Sequence, residues 1–150
     1  MTDEDFSRHA LAYLKSEKRL KYDETRVHKI LPIFKDNIER FDQLPERLEI
    51  LNDDFPYENL EWIQSAEARE VFGAALVALP TIQGEKEALY ETFLQAIKPK
   101  VKAKGKNLFM PLRLALTGKE HGPELKRIFP VLGLTTVKRR FERALSHHAR

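Results

Sequence analysis

The residues best placed to do chemistry are the basic ones of the C-terminal third. Lys138, Arg139, Arg140 and Arg143 are interleaved with Val137, Phe141, Ala144 and Leu145. The apolar set recurs at helical spacing and should dock on a bundle, leaving the four cations outward. Arginine forks match phosphate oxygens and stack on bases. Upstream, Lys98, Lys100, Lys102, Lys104 and Lys106 alternate with small or apolar residues around Pro99 and Gly105, a pattern that predicts an exposed, mobile basic linker. A polyanion, an acidic protein partner or simple solubility would each account for these two faces.

Charge is divided unevenly along the chain, which a polyanionic partner or a solvated basic face would equally explain. Residues 98–150 carry 14 Lys and Arg against three acids, a net +11, while residues 1–97 carry a net −8. Such asymmetry suggests a polyanionic partner at the basic end. Catalytic chemistry has little to stand on. The sequence has no Gly-rich phosphate loop, no His-Glu-x-x-His and no Gly-x-Ser-x-Gly. It has no cysteine, so no disulfide or thiolate metal site. The histidines, His9, His28, His121, His147 and His148, are scattered apart from the last two, and adjacent residues make a poor metal geometry. Asp53 and Asp54 lie in a stretch rich in turn residues, where turn formation explains them. The acidic N-terminus is unlike a signal peptide, and no apolar run approaches the roughly 20 residues that span a bilayer. A soluble, cytoplasmic protein is expected, with no cofactor or metal held by this chain.

The elements that would position these residues are helices, because strand alternation is nearly absent. Residues 5–16 place Phe6, Ala10, Tyr13 and Leu14 on one stripe. Residues 23–43 repeat the pattern with Val27, Ile30, Leu31, Phe34, Ile38 and Phe41, kinked or broken at Pro32. A short helix over 44–51 admits Pro45 in its first turn. Ser65 caps a helix over 66–79, and a further helix spans 85–97. Beyond the basic stretch come helices over 108–117, stopped by Gly118, over 123–132, opened by Pro123 and closed by Gly133, and over 137–145, capped by Thr136. The pattern predicts an all-α, elongated bundle of two packed sub-bundles, divided into 1–97 and a basic 98–150.

The run from Lys104 through Pro111-Leu112-Arg113 to Thr117-Gly118 has a more specific likeness. With His121-Gly122-Pro123-Glu124-Leu125, Leu132-Gly133 and Arg139-Arg140-Phe141-Glu142-Arg143-Ala144-Leu145, it resembles the last part of bacterial glutamyl-tRNA synthetases, the distal half of an all-α anticodon-binding cage. Ile30 to Lys35 and Phe41-Asp42-Gln43-Leu44-Pro45 resemble the proximal half more loosely. The family's catalytic half carries His-x-Gly-His and Lys-Met-Ser-Lys-Ser type signatures, and neither occurs here. The resemblance implies the non-catalytic, C-terminal part of a glutamate–tRNA ligase, separated from its catalytic half, or else a free-standing homologue. ATP and Mg would then belong to the catalytic half. The partner would be tRNA-Glu, and the domain a monomer. A stand-alone helical module for RNA or for an acidic protein is the alternative.

Carried over by motif, Arg113, Gly122, Pro123 and Leu125 are implied as base contacts. Arg113 can stack and donate, Gly122 lets backbone approach a base, and Leu125 supplies an apolar wall. For Pro123 and Leu125 an ordinary helix start with one core leucine is the plainer reading of the residues alone. Leu108, Leu112, Ala115 and Leu116 define a buried face that should leave Arg113 free. Lys102, Lys104, Lys106, Lys138, Arg139 and Arg143 are candidates for phosphate contacts on charge alone. Many family members have arginine where this chain has Asn37, at a position linked to the third anticodon base. Relaxed discrimination that admits tRNA-Gln, with Arg40 or Lys35 substituting, is the implied consequence.

Overall fold

A computed structural model describes residues 1–148, and its regular structure among them is helical throughout. The chain forms two compact units, Met1–Asp54 and a second from Phe55 onward. In the first, α1 (Asp3–Ser16) opens with Thr2, whose Oγ1 accepts the Asp5 N–H at 3.0 Å, and with three acids that suit the positive end of the helix. Its stripe of Phe6, Ala10 and Leu14 is buried. Helix α2 (Glu24–Phe34) is capped by Asp23 and buries Val27, Ile30, Leu31, Ile33 and Phe34.

The helix expected over 23–43 therefore ends nine residues early, two residues past Pro32. Proline supplies no N–H to the ladder and crowds the preceding turn. After it the Gln43 carboxamide oxygen accepts the N–H groups of Glu39 and Arg40, which fixes a turn in place of more helix. Single turns follow at Phe41–Gln43, α3 (Leu44–Arg47) and Leu48–Leu51. Phe41 still reaches the bundle, its ring 5.8 Å from those of Phe6 and Tyr13.

The second unit runs α4 (Glu61–Gln64), α5 (Ala66–Ala78), α6 (Leu89–Ile97), α7 (Lys106–Thr117), α8 (Leu125–Leu132) and α9 (Leu134–Leu145). Helix α5 packs on α6, α7 and α9, and α8 closes against α6 and α9. An aromatic chain crosses this core: Tyr90 and Phe93 of α6 lie 5.6 and 5.1 Å from Phe129, and Phe93 stacks at 5.7 Å on Phe141. Ser65 caps α5 as expected, accepting the Ala68 N–H at 3.0 Å. Thr136 does not cap α9. The helix starts at Leu134 behind Gly133, and the Thr136 hydroxyl accepts from Arg139 instead. Pro123 lies ahead of α8 and Glu124 is its N-cap residue.

Division at Asp54 differs from the boundary expected at the basic stretch 98–106. That stretch is no mobile linker: Val101 and Ala103 are buried, and the Lys102 N–H is held by the Glu70 carboxylate of α5. Charge marks what a segment shows to solvent, and the aromatic contacts between α6 and α8 bind both sides of it into one core.

Candidate nucleic-acid interface

Arg113 stands in the middle of α7, where Leu112, Leu114, Ala115 and Leu116 are buried and hold the helix down. It is not the free surface residue its helical phase suggests. The guanidinium is half-buried, and Nη1 donates to the Pro123 carbonyl at 3.0 Å. Burial pulls its pKa below the ordinary arginine value, with the nearby Tyr90 phenol acting the other way. Tyr90 in turn is pushed up to about 12, by burial first and against the opposing charge of Arg113. One arginine thus ties α7 to the turn that leads into α8, beside a phenol of α6.

That turn is braced from a second side. Gly118 ends α7 at φ +77°, and a β-carbon there would meet Phe55 Cδ1 at 2.6 Å and the Pro56 carbonyl at 2.7 Å. Only glycine lets the 55–58 segment come this close. The Glu58 N–H donates to the Gly118 carbonyl at 2.8 Å, and its carboxylate accepts the Glu120 N–H at 3.0 Å. The Thr117 hydroxyl donates to the Arg113 carbonyl at 2.8 Å and accepts the Lys119 N–H at 3.1 Å. The consequence is a fixed loop that presents exposed Gly122 and half-exposed Pro123 next to Arg113. Leu125 differs from the expectation: at 5% exposure it belongs to the core beneath the loop and offers no open wall.

The expected outward row on α9 splits in two. Lys138 and Arg139 are exposed. Arg140 is only 1% exposed, its Nη1 donating to the Leu116 carbonyl at 2.6 Å. Arg143 donates to the Phe55 carbonyl at 2.6 Å and lies 5.0 and 4.6 Å over the Phe55 and Tyr57 rings. Its cation is held against these rings, with Nη1 buried and without a hydrogen-bond partner among the described residues, and it is not presented outward as Lys138 and Arg139 are. The signal was in the spacing: Val137, Arg140, Phe141 and Ala144 follow i, i+3, i+4, i+7. Phe55, Glu58 and Tyr90 carried no such signal, because their roles come from contacts distant in sequence.

Lys102, Lys104 and Lys106 are exposed, as expected. In the first unit Asn37 is exposed with its carboxamide donating to the Ile33 carbonyl at 3.2 Å, Arg40 pairs with Asp42 at 3.1 Å, and Lys35 pairs with Asp3 at 3.4 Å. Each of the two candidate substitutes for an arginine at position 37 already has a carboxylate beside it.

A family model described as the anticodon binding domain matches residues 5–145, which takes in Lys35, Asn37, Arg40, the 98–106 lysines, Arg113 and the turn at Gly122-Pro123. The chain belongs to the anticodon-binding domain family. This anticodon-binding domain is 40% identical over 116 residues to glutamate–tRNA ligase 1 of Fervidobacterium nodosum, covering 77% of the domain and 24% of that ligase. It is 35% identical over 92 residues to the glutamate–tRNA ligase of Bacillus cytotoxicus, covering 61% of the domain and 19% of the ligase. Against glutamate–tRNA ligase 1 of Parvibaculum lavamentivorans the identity is 52% over 60 residues, 40% of the domain and 13% of the ligase. The domain thus spans a quarter or less of the curated relatives it matches. Among its described residues no helix is long and apolar enough to cross a membrane.

Proposed function

We propose that this domain binds the anticodon arm of tRNA-Glu as the non-catalytic part of a cytoplasmic glutamate–tRNA ligase, and that it does so as a monomer. Glutamate activation with ATP and Mg falls to a catalytic domain elsewhere. The observation that carries the reading is Arg113, half-buried against the Gly122-Pro123 turn in a chain whose family is anticodon-binding. Sequence-specific RNA recognition targets splayed, unstacked bases. Of the five N–H donors of a guanidinium, one is occupied by Pro123, which leaves an oriented plane and further donors for a base. Arg113, Gly122 and Pro123 form the base-contacting set, with Leu125 supporting it from the core. Lys102, Lys104, Lys106, Lys138 and Arg139 lie outward for phosphates. Asn37 at the third-base region, with Arg40 and Lys35 paired elsewhere, favours relaxed discrimination and acceptance of tRNA-Gln.

Competition between stem-loops tests this. Arg113→Ala should weaken binding of the cognate anticodon loop by about 1–3 kcal/mol, the scale of a lost stacking contact, and anticodon-swapped loops by much less. Arg113→Lys should restore little, since an ammonium neither stacks nor forks. Equal losses on cognate and swapped loops would make Arg113 a phosphate contact and sink the base-reading assignment.

A further inference from the structure

The stretch 98–106 has an order that its composition does not require. Val101 adopts extended backbone (φ −125°, ψ 151°), and Val101 and Ala103 turn inward with 9% and 7% exposure. Lys100, Lys102 and Lys104 stand outward between them, flanked by exposed Lys98 and Lys106. Lys98–Lys100 form a single 3-10 turn and Lys106 begins α7, so the spacing of an extended chain, roughly 6.5 Å between alternate residues, applies to Lys102 and Lys104. Successive phosphates of an unpaired nucleic-acid strand are separated by a similar distance. Among the described residues the ion pairs lie within residues 3–42, and no described carboxylate forms an ion pair with any of these five ammonium groups.

We propose that residues 98–106 form a phosphate track for an unpaired RNA strand, with the lysine register set by the burial of Val101 and Ala103 and by the Glu70 carboxylate. The inference rests on the RNA-binding reading above and adds where the strand runs. The Glu70 side chain accepts the Lys102 N–H, which pins an extended segment to α5. A pinned segment does not have to be ordered when the strand arrives, whereas a mobile lysine tail loses chain entropy on binding. Lys106 opens α7, and Arg113 follows seven residues later. Seven residues bring the helix to within about 20° of two full turns and roughly 10 Å along its axis, so the track leads toward the Arg113 site along one face. The positive end of α7 adds to the field at Lys106. An acidic peptide fits less well. Strand addition needs free backbone groups on the edge, and here the Lys102 N–H is taken by Glu70 and the Lys104 carbonyl by the Asn107 N–H at 3.2 Å.

The experiment measures binding to the full chain as a function of salt, with four probes: the tRNA-Glu anticodon stem-loop, an oligouridylate of the same length, a fully paired hairpin and polyglutamate. Each single-strand phosphate contact contributes a slope of about 0.7 in log K against log salt. Replacing all five lysines by alanine should lower the oligouridylate slope by about 3.5, with the melting temperature unchanged because all five side chains are exposed. Glu70→Ala is the sharper variant. Simple electrostatics says that loss of an acid beside a basic surface tightens RNA binding. The pinned register says that it weakens oligouridylate binding several-fold, and that Glu70→Gln, which keeps an acceptor oxygen, does not. Tighter binding by Glu70→Ala, or a slope change below one unit for the five-lysine variant, would overturn the track. If those variants fail to respond while Arg113→Ala still loses cognate selectivity, the track falls and the anticodon reading stands. Polyglutamate or the paired hairpin outcompeting oligouridylate would show that the surface serves a different partner.

Discussion

Two basic regions that look alike in sequence are used in opposite ways. Between residues 98 and 106 five lysines all face outward. On α9 four cations stand within six residues, yet Arg140 is buried and Arg143 is committed to Phe55 and Tyr57, so that only Lys138 and Arg139 remain outside. Side-chain chemistry explains the division. A guanidinium is planar and weakly hydrated, and it tolerates burial when it can stack on a ring and donate to a carbonyl. Arg140 does both, over Phe55 at 5.0 Å and onto Leu116 at 2.6 Å. An ammonium is compact and strongly hydrated, so it keeps to water. Net charge therefore overstates the surface available to RNA on α9 and describes it fairly along 98–106.

The comparison breaks most readily at Arg140. Arg140→Ala removes a buried donor from the Leu116 carbonyl and leaves a void beside the Phe55 ring. The cost should be about 3–5 kcal/mol, the range of large-to-alanine core changes, read as a lower urea midpoint at unchanged m-value. A loss below about 1 kcal/mol, the scale of an ordinary surface change, would mean that the guanidinium is not structural and that α9 is uniform after all.

A smaller effect separates Arg143 from its neighbours. Arg143→Ala should destabilise by about 1.5–3 kcal/mol, the scale of a hydrogen bond from a charged donor, and leave the salt slope for RNA unchanged in the folded protein. The double variant of Lys138 and Arg139 to alanine should do the reverse, with stability altered by about 0.5 kcal/mol or less and a slope lowered by about 1.4. Exchanged outcomes would return Arg143 to the RNA-facing set.

Helical periodicity made most of the fold legible, because an apolar stripe at 3.6-residue spacing is local information. Ser65 as a cap and Gly118 as a stop were readable for the same reason, each acting through its own backbone. Longer-range information was not. The early end of α2 depends on the Gln43 side chain bonding back to Glu39 and Arg40, and the division at Asp54 depends on which helices share a core. The short helix α4 had no stripe to reveal it. At the candidate site, motif resemblance singled out Arg113 and Pro123, and the structure brings them to 3.0 Å. The 55–58 segment that braces the loop lies some 60 residues away in sequence, and nothing local in Phe55 or Glu58 points to it.

Arg113 sits between the two extremes of the comparison, neither buried like Arg140 nor free like Lys102, and Tyr90 offers a way to measure that position. The Tyr90 phenol ionises near 12 in the folded protein against 10.0 for an unperturbed tyrosine. The raised value means that the fold favours the neutral phenol. Stability from this group is therefore intact below pH 10 and is lost as pH climbs from about 10 toward about 12, where the unfolded chain gives up a proton that the folded chain still holds. The informative measurement is a difference between variants. Melting temperature should fall less steeply above pH 10 in Tyr90→Phe than in the parent. Arg113 favours the phenolate, so Arg113→Ala should move the ionisation of Tyr90 still higher, as seen by ultraviolet titration of the parent against Tyr90→Phe. If Arg113→Ala leaves the Tyr90 titration where it was, the guanidinium is turned away from α6 into water, and Arg113 belongs with the lysines of the 98–106 segment.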